Sequence, residues 1–303
     1  MGFIREIKKN IDLYLLALPG LAFLIIFAYL PMQGHLIAFK QYRLADGIWG
    51  SAWVGWDNFK FFFGGQDWFK VTFNTIYLNG LFLVFGLTFS ALIALLLNEI
   101  RIVLFKKLAQ SFIFLPYFIS WLVVSLMVFA FLNVQDGLMN KLLVSVGLQE
   151  VGWYQTAWVW PIILTLIYVW KFSGYFAVIF LAAMTGISKE YYEAAEIDGA
   201  TRFQQIIKIT LPLIRPVIIM LALLGVGRIF YGDFGMIYGI IGDNGILFPT
   251  TDVIDTYSFR ALRQLGNFSM AAAVVFYQSV MGLICIVLFN GLVRKIDPES
   301  KLF

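Results

Sequence analysis

The sequence predicts an all-α, polytopic membrane protein with about six transmembrane helices. Three observations carry this. The 303 residues are 61% hydrophobic and 13% charged, whereas a soluble domain is about half apolar and about a quarter charged. Mean hydropathy is +0.84. The apolar residues gather into six runs, each reaching the roughly 20 residues needed to cross a hydrocarbon core of about 30 Å.

The first run covers residues 11–37, behind Arg5, Lys8 and Lys9. Basic residues ahead of an apolar stretch also mark a signal peptide. This run is long and lacks a small-x-small cleavage site, so it reads as a retained anchor. The second, 71–97, carries no charge. The third, 108–134, is also uncharged and holds Pro116, which predicts a kink. The fourth, 157–184, is interrupted only by Lys171. The fifth, 211–241, carries Arg215, Arg228 and Asp233, and the sixth, 269–293, is uncharged. These runs and the 186–212 loop are expected to form a single transmembrane domain over residues 1–303, with no internal repeat and no separate soluble part.

Charge sets the orientation. A net charge of +4 and many basic residues could point to nucleic acid, but here they flank the spans. With the N-terminus inside, one face holds Arg5, Lys8, Lys9, Arg101, Lys106, Lys107, Lys189, Arg202, Lys208, Arg215, Arg294, Lys295 and Lys301. The other holds Lys40, Arg43, Lys60, Lys70, Lys141, Arg260 and Arg263. The excess places both termini in the cytoplasm. The single cysteine, Cys285, forbids an intrachain disulfide, and the single histidine, His35, gives no ground for a metal site. No GxxxxGK[ST] stretch is present, so ATP-driven work would fall to another polypeptide.

The outer loops are aromatic. Trp49, Trp53, Trp56 and Trp68 suit an interfacial belt. A short helix is expected over 137–146.

The most polar stretch between spans is 193–212, EAAEIDGATRFQQIIKITLP. It predicts two short helices. The first starts after a Ser188 N-cap and ends near Ile197, where Asp198-Gly199 turns the chain. Thr201 and Gln204 form a capping box for the second. Pro212 sits where a new apolar helix begins. A solvated amphipathic hairpin would have the same composition. The spacing is more specific: Glu193-Ala194-Ala195, three residues, Gly199, nine residues, then Ile209-Thr210-Leu211-Pro212.

This spacing resembles the signature loop of permease subunits from binding-protein-dependent ABC importers, with no departure from the pattern. Its wording is most similar to the sugar-importing, maltose-type branch. Gly55-Trp56-Asp57-Asn58-Phe59 and Phe73-Asn74-Thr75 resemble the family's stretch ahead of its second span. Thr251-Asp252-Val253-Ile254-Asp255-Thr256-Tyr257 and Gly266-Asn267-Phe268-Ser269-Met270-Ala271-Ala272-Ala273 resemble the branch handling oligosaccharides and polysaccharide fragments. The resemblance implies a type I importer permease fold in the cytoplasmic membrane of a bacterium or archaeon. It implies that Glu193, Ala194, Ala195, Gly199, Ile209, Leu211 and Pro212 form a coupling helix against a cytoplasmic ATPase. It further implies a second related permease, two ATPase subunits, which would bind the ATP and Mg, and an external solute-binding protein. The chain itself is then no enzyme and holds no cofactor. Tyr191, Ile197 and Phe203 can bury area on such a partner, and Glu193 offers it a carboxylate.

Ionisable residues at membrane depth mark a path or a partner. The fifth run around Arg228 is rich in glycine and aromatic residues, and irregular backbone there is tolerated where it lines a cavity. Lys171, Tyr175, Arg228, Tyr231 and Asp233 are therefore expected on the substrate path, with rings to stack on sugars and charges to bind hydroxyls. Two cations suit an acidic sugar. A structural Arg228–Asp233 pair, with Gly235 and Gly239 as a packing face, is the competing expectation. An ion-coupled carrier using Lys171 and Asp233 is the alternative function. A membrane enzyme lacks grouped His, Cys or acid/base residues.

Overall fold

The computed structural model describes residues 9–65 and 67–296. Arg5, Lys8 and Lys301, counted above for orientation, lie outside the described residues. The helices in chain order are α1 (Ile11–Phe39), α2 (Asp57–Phe63), α3 (Asp67–Glu99), α4 (Val103–Phe114), α5 (Trp121–Leu132) and α6 (Leu138–Ser145). They continue as α7 (Trp160–Thr185), α8 (Lys189–Ile197), α9 (Arg202–Val226), α10 (Phe234–Ile241), α11 (Ile254–Leu265) and α12 (Phe268–Ile296). Five of these are long and apolar enough to cross a membrane, and the bent pair α4–α5 makes up to six.

The chain divides into two units, one of residues 9–65 and 258–277, the other of 67–257 and 278–296. In the first, a two-stranded antiparallel sheet pairs β1 (Lys40–Gln41) with β2 (Ala52–Trp53). Asn58 explains much of its motif. Its amide donates to the carbonyls of Ala38 (2.9 Å) and Lys40 (3.0 Å), fixing α2 against the strand. Gly55 takes φ +60°, which a side chain would oppose. The Phe39 ring then stacks on Trp53 at 5.6 Å and meets Phe59 and Phe276. Two of the tryptophans expected in an interfacial belt therefore pack against Phe39 as well, while remaining largely exposed.

In the second unit α3 and α7 pack along much of their length. One buried cluster joins α3, α5, α7 and α10 through Phe82, Val128, Leu164 and Ile240. Another joins α3, α7 and α9 through Ala94, Phe180 and Ile214. Gly239 brings α10 close to α5, with Ser125 and the Trp121 carbonyl in ordinary contact range. The Thr251–Asp255 stretch is tied to α3 by the Asn74 and Thr75 pair. Asn74 Nδ2 donates to the Asp252 carbonyl (3.2 Å), and Thr75 Oγ1 accepts from the Ile254 N–H (2.9 Å).

Three expectations change. The third run is broken, not kinked: α4 and α5 meet at 96° across a 3-10 turn containing Pro116. Proline removes one N–H, and the backbone there has found other partners. The fifth run does not continue to residue 241. α9 ends at Val226, and turns at 227–230 and irregular backbone at 231–233 precede α10. The second elbow helix is not separate, because it runs through a π-helical turn, Ile206–Thr210, directly into the span. The wider turn lies just ahead of Pro212, whose missing N–H would break a regular ladder. The short helix expected over 137–146 is α6, with Gly137 as its N-cap.

Candidate functional sites: a membrane-depth cavity and a polar elbow

The broken backbone at 227–233 needs hydrogen-bond partners, since lipid offers none. Three side chains supply them. Asn79 Nδ2 donates to the Ile229 carbonyl (3.0 Å). Gln278 Nε2 donates to the Phe230 carbonyl (2.7 Å) and to Asp255 Oδ2 (2.9 Å). The same Asp255 oxygen accepts from the Gly232 N–H at 2.6 Å. Burial pushes the Asp255 carboxyl up from the usual carboxylate range, while the Gln278 and Gly232 hydrogen bonds pull it down. Asp233 closes the segment by capping α10: its Oδ1 accepts from the Met236 N–H (3.1 Å), and its Oδ2 from the Trp121 indole N–H (2.9 Å).

Beside this segment lies a cavity of about 620 Å³. Aromatic rings from three directions wall it. Tyr117 stacks on Tyr175 at 4.5 Å, Phe82 on Tyr168 at 4.8 Å, and Phe172 packs against Tyr168. Arg228, Tyr231 and Asp233 also line it. Arg228 is exposed to the cavity, and its guanidinium makes no hydrogen bond or ion pair among the described residues. The expected Arg228–Asp233 pair does not form within 4 Å.

Of the residues expected on the path, Tyr175, Arg228, Tyr231 and Asp233 line this cavity and Lys171 does not. Lys171 is 5% exposed. Its ammonium points into the break between α4 and α5, donating to the carbonyls of Pro116 (3.2 Å), Tyr117 (3.1 Å) and Ile119. The broken helix leaves the Tyr117 and Ile119 carbonyls without backbone donors, the Pro116 carbonyl accepts from the Ile119 N–H as well (3.2 Å), and a four-carbon stem reaches all three. Asn79, Gln278, Asp255 and Trp121 were missed. Asn79 and Gln278 could have been found as amides inside uncharged apolar runs.

The elbow is built from local capping. Ser188 caps α8, accepting from the Glu190 N–H. At its other end the Ala200 N–H reaches the Ala195 carbonyl (2.8 Å) and the Gly199 N–H the Glu196 carbonyl (3.0 Å). This is a Schellman closure, with Gly199 at φ +76° where a Cβ is disfavoured. Both halves of the Thr201–Gln204 capping box are present. Arg202 bridges the turn to Glu196 at 2.9 Å, and the Tyr192 hydroxyl meets Thr210 Oγ1 at 2.9 Å. Glu193 and Ala194 are exposed, Ala195, Ile209 and Leu211 are half-buried, and Pro212 is exposed. Ile197 (87% exposed), Phe203 (70%) and Tyr191 (58%) stand out from the elbow.

Comparison with known proteins agrees with this architecture. The model of the binding-protein-dependent transport system inner membrane component family matches residues 86–301. The chain is 39% identical over 301 residues to Protein LplB of Bacillus subtilis (strain 168), covering 99% of this chain and 94% of that protein. It is 37% identical over 289 residues to the polygalacturonan/rhamnogalacturonan transport system permease protein YteP of the same organism, covering 95% and 89%. It is also similar to a chain in the crystal structure of a bacterial alginate ABC transporter in complex with alginate pentasaccharide-bound periplasmic protein. There the TM-score is 0.88 at 32% identity, over 98% of each chain. The chain belongs to the binding-protein-dependent transport system inner membrane component family. It is an integral membrane permease subunit of the ABC class, and the ion-coupled alternative finds no support.

Proposed function

We propose that this permease imports oligosaccharides or polysaccharide fragments, acidic ones among them, through the cavity beside the broken fifth run. Tyr175, Arg228, Tyr231 and Asp233 form the path. The observation that carries this reading is the Arg228 guanidinium: a cation inside a ring-walled cavity with no hydrogen bond or ion pair among the described residues. A guanidinium held so is ready for a carboxylate in bidentate geometry. Stacked tyrosine and phenylalanine faces suit sugar rings. Two similar proteins carry names that include acidic polysaccharides, polygalacturonan/rhamnogalacturonan in one case and alginate in the other.

A solute-binding protein delivers the saccharide on the outer side. Two ATPase subunits engage the elbow, through Glu193, Ala194, Ala195 and Gly199 and on to Ile209, Leu211 and Pro212. A second, related permease completes the path, and ATP and Mg belong to the ATPases. The termini and the elbow face the cytoplasm, as the distribution of basic residues favours.

Uptake by cells carrying the wild-type chain or Arg228→Gln tests the path. A charge-assisted hydrogen bond contributes about 1.5–3 kcal/mol, so uptake of a free-acid uronate oligosaccharide should fall by about tenfold or more. Uptake of a neutral oligosaccharide should change by less than about twofold, since no charge is lost from its contacts. Wild-type uptake of the acidic oligosaccharide by Arg228→Gln would remove Arg228 from the path.

A further inference from the structure

Lys171 was expected to face the substrate, and its geometry assigns it other work. A lysine ammonium has three N–H donors and no acceptor. Here three carbonyls take them, those of Pro116, Tyr117 and Ile119. No donor is left over for a solute. The group is almost fully buried in α7, and among the described residues no carboxylate lies within ion-pair distance of it. The carbonyls it binds sit at the C-terminal end of α4 and its 3-10 turn, where the helix dipole is negative and a cation is favoured.

A second set of contacts leads from the same ammonium to the other broken run. Lys171 Nζ lies 5.0 Å from the centroid of the Trp121 ring, a cation–π contact. The indole N–H of Trp121 donates to Asp233 Oδ2 at 2.9 Å, and Asp233 caps α10 through the Met236 N–H. Gly235 allows this approach, since a Cβ there would come within 2.9 Å of the Trp121 ring. The chain of contacts therefore runs from the α4–α5 bend, through Lys171 in α7 and Trp121 in α5, to the first turn of α10. It also sets the cavity wall, because Tyr117, whose carbonyl binds Lys171, stacks on Tyr175 one turn further along α7.

We propose that Lys171 is a positioning residue that ties the two broken runs to α7, so that the α4–α5 bend and the start of α10 are held in one register and move together. The tie itself rests on geometry alone; its consequence for transport rests on the reading of the cavity as the solute path.

Hydrogen exchange of the assembled transporter in lipid nanodiscs, measured for wild type, Lys171→Met and Lys171→Arg, tests the tie. Lys171→Met keeps the apolar stem and removes the donors. It should speed amide exchange by about tenfold both at 119–124 and at 234–238, the second segment being out of direct reach of residue 171. Lys171→Arg, which restores donors and charge, should return both segments to within about twofold of wild type. Should Lys171→Met fail to accumulate, Trp121→Phe makes the same test, since it keeps a ring for the ammonium but deletes the N–H to Asp233. It should speed exchange at 234–238 and spare the bend. Unchanged exchange at 234–238 in the variant measured overturns the tie, whatever uptake does.

Uptake adds a separate readout. Lys171→Met should slow acidic and neutral oligosaccharides to the same degree, and a loss confined to acidic ones would instead make Lys171 a substrate contact and overturn the proposal. Faster exchange in both segments with wild-type uptake would support the tie and count against the cavity as the path.

Discussion

Phe203→Asp is expected to reduce uptake by about tenfold or more while the amount of inserted chain stays unchanged. Phe203 lies in the first turn of α9, between the two halves of the capping box, and 70% of it is exposed. Ile197, across the Gly199 turn, is 87% exposed. Neither side chain has a core to lose, so folding should tolerate the change. An exposed aromatic is costly to leave in water unless something covers it, and such anchors typically contribute about 2–4 kcal/mol to an interface. A carboxylate in a desolvated groove would add a further penalty. The measurement is uptake normalised to chain in the membrane, with ATPase recovered on purification as its companion. Loss of both would place the residue in the interface, and retention of both would exclude it.

Gly174→Val is expected to act at a different level, by reducing folded protein. In α7 the backbone at Gly174 approaches α4 so closely that a Cβ would collide with the Ile113 carbonyl. A carbonyl in a helix cannot rotate away as a side-chain end can. Overpacking of this kind costs about 1–3 kcal/mol, and here α4 cannot retreat without disturbing the Lys171 contacts just beyond Ile113. The monodisperse fraction on size exclusion in detergent should fall sharply. Gly239→Ala is the control, because its nearest neighbour would be 3.8 Å from the new Cβ, an ordinary contact. It should leave that fraction at the wild-type level. Equal behaviour of the two variants would mean that α4 does not pack on α7 as described.

The elbow was legible because helix caps are a local grammar. Ser188, Gly199 and the Thr201–Gln204 box each act within five residues of themselves, and the structure shows each in that arrangement. The end of the second elbow helix was not legible in the same way. Pro212 suggests a boundary, but whether the ladder stops or widens into a π turn depends on what holds Thr210, and Tyr192 does so from α8. The break in the third run was announced by Pro116, though not its angle. Lys171 shows the limit most clearly. Sequence reveals a charge at membrane depth, and cost arguments say that it must have partners. They do not say in which direction a flexible stem swings, and the acceptors lie 52 to 55 residues away. The same limit holds for Asn79, Gln278 and Asp255: the two amides stand out as polar residues inside apolar runs, but the backbone that each of the three serves lies in a distant part of the chain.

Cross-linking from the elbow tests the central claim most directly. Cys285 is the only cysteine, so Cys285→Ser gives a cysteine-free chain into which Ile197→Cys can be placed. In membranes holding the full transporter, position 197 should cross-link to the ATPase subunit, and an impermeant maleimide should reach it only in inside-out vesicles. Labelling from outside intact cells, or the absence of a cross-link to any other polypeptide, would contradict the account.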